Sequence, residues 1–310
     1  MANTRSLDSN RIKGILSPVV TPFKTDLSPD ADRLLRHCRW LDSNDVGLAI
    51  FGTNSEGNSL SVDEKIDLID HLAENGISPA RMMPGTGACA LSDSVRLTQR
   101  ATTLGCAGVL MLPPFYYKGV SDEGLFRNFA EIIERVGDAR LRIYLYNIPP
   151  VSQVAITVAL IERLLKAYPT AIAGAKDSSG DWENTRAYID NFSANGFDVF
   201  PGAETFLLQG LRHGGVGCIS ATANVNPGPI ARLFATWQGD DADDQQKKLN
   251  EIRGIFAKYP MIPALKAAIA HYGDDESWIT LRPPLVELKN DQSAALIDDL
   301  ERAGFSMPGL

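Results

Sequence analysis

Cysteine and histidine are scarce in this sequence and scattered where they occur. Cys38, Cys89, Cys106 and Cys218 form no Cys-x-x-Cys pair, and the four histidines fall at no metal-ligand spacing, so neither a disulfide framework nor a zinc site is indicated. Reduced structural thiols are expected. His37, His71 and His271 lie in helix-like stretches where a surface or satisfied-core role is the default, and His213 joins no motif. Long apolar runs are also missing. Segments 108–112 and 141–146 are far shorter than the roughly 20 residues of a membrane span, and the opening MANTRSLDSN has no apolar region of the signal-peptide kind. The expectation is a soluble, cytoplasmic protein without a membrane partner. Basic excess is absent too: 30 Lys and Arg stand against 38 Asp and Glu, giving a net charge of -8. The cations are dispersed, so no stripe is present to neutralise phosphates and nucleic acid is not an expected partner.

What is present is a well-balanced globular composition, 44% hydrophobic and 22% charged over 310 residues, with no sign of extended disorder. Short runs rich in Val, Ile and Leu alternate with amphipathic stretches, the pattern of parallel strands covered by crossover helices. Strands are expected at 14–20, 47–52, 81–85, 108–112, 142–146, 171–175, 198–201 and 217–220. Helix starts are marked by Ser28-Pro29, Ser61-x-x-Glu64, Ser92 and Ser121. Eight such units fit a closed (β/α)8 TIM barrel. An open dinucleotide-binding sheet would carry a glycine-rich fingerprint after its first strand, where Ser17-Pro18-Val19-Val20-Thr21-Pro22 stands instead. Helix-like sequence continues over 240–271 and 291–303, with an extended connection at 278–284. The expected organisation is therefore a barrel over 1–239 followed by a C-terminal helical extension over 240–310.

In such a barrel the chemistry sits at the C-terminal ends of the strands. That rule selects Thr53-Asn54-Ser55-Glu56, the segment 113–118, Tyr146-Asn147-Ile148-Pro149, Lys176-Asp177, Gly202-Ala203-Glu204, and Ser220-Ala221-Thr222. Gly214-Gly215-Val216-Gly217 precedes the eighth strand and is read as a turn rather than a phosphate loop. Lys176 follows Ala-Ile-Ala-Gly-Ala, so it belongs to the inner rim rather than to a solvated helix face. A lysine amine attacks a carbonyl only when neutral, and desolvation favours that form. On position alone, a nucleophile and a buried ion pair with Asp177 or Glu204 are equal readings. Tyr146, ending the adjacent strand, could relay protons, and Tyr117 could extend a hydroxyl relay with Thr53. Either tyrosine alone reads equally well as a packed aromatic. Thr53-Asn54-Ser55 could offer N–H groups and hydroxyls to a carboxylate, or simply cap the next helix.

In order and spacing these residues resemble the N-acetylneuraminate lyase and dihydrodipicolinate synthase family of pyruvate-dependent class I aldolases. Gly52-Thr53-Asn54-Ser55-Glu56 is similar to the family's Gly-[Ser/Thr]-Thr-Gly-Glu motif, Tyr146-Asn147-Ile148-Pro149 to its Tyr-Asn-x-Pro segment, and Gly174-Ala175-Lys176-Asp177-Ser178-Ser179-Gly180 to the segment bearing its Schiff-base lysine. The resemblance spans nearly the whole chain. It implies that Lys176 forms an imine with pyruvate or another 2-oxo acid, that Tyr146 is the acid/base, and that Thr53 and Tyr117 complete the relay. It further implies that no metal or dissociable cofactor is needed and that the chain assembles as a homo-oligomer, a dimer or tetramer, with Tyr117 at an interface.

Two departures bear on the substrate. Where the synthases carry an arginine after Tyr-Asn-x-Pro, this chain has Val151, which cannot make that charge-assisted contact. Glu204 stands where the resemblance implies the hydroxyl-binding acid of neuraminate lyases. Together they favour a 2-oxo-3-deoxy sugar acid, with Asn54, Ser55, Val151, Gly202, Glu204, Ile219 and Ser220 as substrate-facing positions. The second departure is in the motif itself, where Asn54 replaces the second hydroxyl residue and Ser55 the glycine, which implies strain at Ser55 if a positive φ is required there. The alternatives kept open are the synthase itself, a dehydratase or decarboxylase working through the same imine, and a non-catalytic 2-oxo-acid sensor.

Overall fold

The computed structural model describes residues 11–310; the opening ten, read above for their lack of an apolar region, lie outside the described residues. Strands and helices alternate. The first are β1 (Gly14–Ser17), α1 (Ala31–Ser43), β2 (Gly47–Leu48) and α2 (Val62–Glu74). Then come α3 (Leu91–Leu104), β3 (Val109–Met111), α4 (Asp122–Val136), β4 (Ile143–Asn147), the one-turn α5 (Pro149–Ser152) and α6 (Val158–Ala167). Next are β5 (Ile172–Asp177), α7 (Trp182–Phe192), β6 (Asp198–Pro201), α8 (Leu207–His213) and β7 (Gly217–Ile219). Four helices close the order: α9 (Pro227–Thr236), α10 (Ala242–Phe256), α11 (Met261–Tyr272) and α12 (Asn290–Arg302). The chain forms two compact units. One comprises Ser78–Cys218 with the segment ending at Gly14, the other Ile15–Ile77 and Ile219–Leu310.

The first unit is built on a four-stranded sheet in the order β3-β4-β5-β6, every pairing parallel. β4 and β5 are buried at every residue, as strands covered on both faces must be, which is why their sequences read as continuous apolar runs. Gly174 makes the packing possible: a Cβ there would lie 2.2 Å from the Asp198 carbonyl oxygen and 2.8 Å from the Tyr144 ring. The Tyr144 hydroxyl donates to Asp198 at 3.2 Å. Arg11 pairs with the same carboxylate at 3.1 Å. Burial nevertheless holds the Asp198 carboxyl above the usual carboxylate range, Arg11 opposing it. In α4, Ser121 accepts from the Gly124 N–H and Leu125, Phe129 and Ile132 form the buried stripe. Each such side chain contributes about 1.5–3 kcal/mol on burial. Gly137, at φ 62°, ends the helix in the left-handed region.

Two local expectations are corrected here. The strand expected at 81–85 shrinks to a single bridge between Gly85 and Leu110. Met82 and Met83 are buried as expected, but Pro84 has no N–H to donate and a ladder cannot run through it. α3 begins at Leu91 after Ala90 with no side-chain cap, not after Ser92. Ser94 instead accepts from the Ala88 N–H at 2.9 Å and fixes the entering chain.

In the second unit β1 runs parallel to β2, with Leu16 opposite Gly47, and the Ser220 N–H after β7 donates to the Leu16 carbonyl at 3.2 Å. Ser61 and Glu64 form the full reciprocal cap of α2, as the sequence suggested. The cap of α1 is Asp30 rather than Ser28-Pro29. An ionised carboxylate is the stronger acceptor for the Arg33 N–H, and Ser28 turns back to Asp26. The 278–284 connection opens with a short turn, Glu276–Ile279, instead of running extended throughout. α10, α11 and α12 match the helix-like tail. Phe305 packs edge-on against Phe256 and Tyr272. The expected 239/240 boundary falls inside this unit.

His37 proves to be core, 2% exposed, stacked on Trp40 and edge-on to Trp278. Burial pulls its pKa down from 6.5 to about 4. Because the folded value lies below the unfolded one, the unfolded chain takes up the proton first as pH falls. The stability gained by keeping His37 neutral is complete above about 6.5 and drains away towards about 4. Urea midpoints measured between about pH 7 and pH 4.5 should therefore fall, and should fall less in His37→Phe.

Candidate active site

β4 and β5 set the geometry. Their register places Tyr146 opposite Lys176 and Asn147 opposite Asp177. Consecutive strand residues point to opposite faces, so the pair Lys176/Asp177 divides its chemistry between two sides of the sheet. Asp177 faces α7. Its carboxylate accepts from Asn147 Nδ2 at 2.8 Å and from the Ser179 N–H at 3.2 Å. It also accepts from the hydroxyls of Ser179 at 2.9 Å and Thr185 at 2.6 Å. Asn147 in turn accepts from the Ile156 N–H at 2.9 Å. Both strand ends are therefore fixed by a saturated polar network, and none of it involves Lys176.

Lys176 is 2% exposed, as is Tyr146. Its Nζ lies 4.3 Å from the centroid of the Tyr146 ring, and among the described residues no carboxylate pairs with it. The ion-pair reading left open by the sequence is not what the structure contains. Asp177 is engaged elsewhere. Glu204, 1% exposed, opens the short turn Glu204–Phe206 after β6. Gly202 allows that segment to pass Ser178, since a Cβ would meet the Ser178 Oγ at 2.0 Å.

Tyr117 is placed differently. It is 74% exposed, as is Tyr116, and the two rings pack edge-on at 5.3 Å. Its hydroxyl engages no described residue. Val151, in α5, is 61% exposed, and Gln153 beyond it ends the turn at φ 53°. Ile219 and Ser220, at the end of β7, are fully buried.

In the second unit the Gly52–Gly57 loop closes on itself. The N–H groups of Ser55 and Gly57 donate to the Gly52 carbonyl, and that of Glu56 to Thr53, which leaves fewer donors for a carboxylate than three consecutive free N–H groups would offer. Positive φ falls at Phe51 (64°) and Glu56 (52°), not at Ser55. The strain expected of Ser55 is therefore absent, and the left-handed turn is made by its neighbours. Gly57 is the position that only glycine can fill, because a Cβ would lie 2.1 Å from the Phe51 carbonyl oxygen. The Ser55 carbonyl accepts from Thr21 Oγ1 at 2.7 Å. Ser55 Oγ is buried without a partner among the described residues.

Glu56 went unassigned in the sequence. Its carboxylate accepts from Lys266 of α11 and, at 3.2 Å, from the Arg282 N–H. Lys266 Nζ also donates to the Thr280 carbonyl at 2.8 Å and lies 4.6 Å from the Phe23 ring centroid. Both charged side chains are fully buried. Burial lowers the Lys266 pKa, and the charge of Glu56 opposes that shift. A lysine in the run Ala264-Leu265-Lys266-Ala267-Ala268-Ile269-Ala270 has no polar neighbour in sequence, and that was the available signal that its partner lay elsewhere. Among the described residues no cluster of three or more His, Cys, Asp or Glu is placed to hold a metal, and no helix is long and apolar enough to cross a membrane.

A Schiff-base lyase of the class I aldolase type on a (β/α)8 barrel with a C-terminal helical extension is the class to which these features lead, and comparison with known proteins agrees. The model of the dihydrodipicolinate synthetase family matches residues 11–303, and the chain belongs to that family. It is 35% identical over 294 residues to an uncharacterised DapA-like lyase of Chloroflexus aurantiacus, covering 94% of this chain and 96% of that one. The crystal structure of dihydrodipicolinate synthase from Agrobacterium tumefaciens superposes with a TM-score of 0.87 at 31% identity, over 94% of this chain and 99% of that one. The Escherichia coli K12 prophage protein YagE, of the same family and solved in complex with pyruvate, gives 0.85 at 26% identity, over 95% and 99%.

Proposed function

We propose that this chain condenses pyruvate with an aldehyde, or cleaves the corresponding 2-oxo-3-deoxy (sugar) acid, through an imine on Lys176. The observation that carries this is a buried lysine with no carboxylate partner among the described residues, 4.3 Å from the ring centroid of Tyr146. In the cleavage direction, the amine adds to the C2 carbonyl and the carbinolamine loses water to give an iminium. A base then takes the proton of the C4 hydroxyl, the C3–C4 bond breaks as C4 leaves as the aldehyde, and the electron pair of that bond enters the iminium as an enamine. Protonation at C3 and hydrolysis release pyruvate. Each proton step needs a positioned acid/base, and Tyr146 is assigned that role from its place opposite Lys176. Thr53 and Tyr117 are assigned the relay on their places in the family's motifs. Asn54 and Ser55 are assigned the substrate carboxylate, with Ser55 Oγ as an unspent hydroxyl. Glu204, Gly202, Ile219, Ser220 and Val151 are assigned the remainder of the substrate.

The barrel is assigned to 1–239 and the helical extension to 240–310. Assembly as a dimer or tetramer in the cytoplasm is part of the same reading. The assembly is supported by Tyr116 and Tyr117, adjacent rings packed edge-on at 5.3 Å and each 74% exposed, apolar surface of the kind that a partner covers. A dihydrodipicolinate synthase, as the Agrobacterium protein is named, is the second reading. It needs a cation for its second carboxylate where Val151 stands.

Release of pyruvate from a panel of 2-oxo-3-deoxy acids tests the assignment, with turnover of at least one hydroxylated member expected. Tyr146→Phe should slow that turnover by about 10²- to 10⁴-fold, and a near-normal rate would remove Tyr146 from the mechanism.

A further inference from the structure

Val151 leaves the strand-β4 loop without a cation, and the neighbouring loop supplies one. Lys118 ends the segment that follows β3. Its Nζ donates to the Phe115 carbonyl of its own loop and, at 2.8 Å, to the carbonyl of Ser152 in α5, the residue directly after Val151. Both acceptors are neutral, and among the described residues no carboxylate pairs with Lys118. An ammonium has three donors. Two are spent on carbonyls that fix the head group, while one N–H and the full charge remain at an exposed position. The freedom a surface lysine would lose on taking a ligand has already been given up here.

We propose that Lys118 is a specificity-determining residue that receives the anionic end of the second substrate, so that the preferred partner of the imine carries a carboxylate at its distal end. This rests on the Schiff-base reading of Lys176. Recognition by an ammonium differs from that by an arginine at position 151: it is a point contact rather than a planar two-bond clamp. It also originates one loop earlier in the chain, which admits a chain of different length. A purely structural clip, joining the β3 loop to α5, would use the same two carbonyl bonds but would not distinguish charged from uncharged ligands.

The test compares two 2-oxo acids differing at the far end, 2-oxoadipate and 2-oxohexanoate, by the concentration giving half-maximal borohydride trapping on the intact protein. The unaltered protein should prefer the diacid. Lys118→Met should erode that preference by about 10- to 100-fold, the worth of one charge-assisted hydrogen bond, while Lys118→Arg should retain most of it. If both concentrations rise together in Lys118→Met and their ratio holds, Lys118 is only a clip and the proposal is overturned. An unchanged ratio with unchanged concentrations overturns it as well. Absence of any adduct with pyruvate in the unaltered protein would instead remove the Schiff-base reading itself, and this proposal with it.

Discussion

Lys176→Ala is expected to abolish pyruvate-dependent turnover and leave only the uncatalysed background. The imine is the electron sink for the carbon–carbon bond, and no proton transfer by Tyr146 can substitute for it. Lys176→Arg should fail equally, because a guanidinium retains charge but does not condense with a carbonyl. The loss should be chemical rather than structural. Among the described residues Lys176 makes no ion pair, while the strand ends on either side are held by the Asp177 network. Far-ultraviolet circular dichroism and the urea midpoint should accordingly stay close to those of the unaltered protein while pyruvate release from the substrate panel disappears. Residual turnover in both variants would place the nucleophile elsewhere.

The second large effect belongs to stability. Lys266→Met removes the cation from a fully buried pair and leaves the Glu56 carboxylate, among the described residues, with only the Arg282 N–H to satisfy it. Breaking such a pair costs about 3–5 kcal/mol, because the remaining charge has lost its compensation, whereas replacing both members can be nearly neutral. The double variant Lys266→Met/Glu56→Gln should therefore recover most of what the single variant loses, since the amide can still accept from Arg282. Urea denaturation of the three proteins checks this. A single variant within about 1 kcal/mol of the unaltered protein would mean that water reaches the site and the pair is not desolvated. Lys266 stands in the C-terminal helices and Glu56 at the end of the Thr53 loop, so the same variants should also disturb the substrate-carboxylate binding proposed for Asn54 and Ser55.

Much of this was legible in the sequence, for identifiable reasons. Parallel strands covered on both faces read as unbroken apolar runs, and β4, β5 and β6 stand where those runs do. Ser61 with Glu64 and the lone Ser121 were readable caps because the residue types and spacing are specific to helix starts. Pro84 was the visible cause of the missing third ladder, but a pattern of buried side chains does not reveal which N–H groups are available. Ser92 was misread for a related reason: a serine can cap a helix or brace the chain before it, and composition does not separate the two. Lys176 stood out because a lysine after five small or apolar residues needs an explanation. Its freedom from Asp177 became visible only through the partners of Asp177, namely Asn147 in β4, the nearby Ser179 and Thr185 in α7, which together occupy that carboxylate. Glu56 with Lys266, 210 positions apart, was legible only in halves. The cation of Lys118 was hidden by its surroundings, because a lysine in a loop ordinarily faces water.

The most direct measurement is mass spectrometry of the intact protein after borohydride reduction in the presence of pyruvate, followed by mapping of the modified peptide. The expected result is a single, stable pyruvate-derived adduct on Lys176, absent without pyruvate and absent in Lys176→Ala. No adduct, or an adduct that persists in Lys176→Ala, would contradict the assignment of Lys176 as the imine-forming residue.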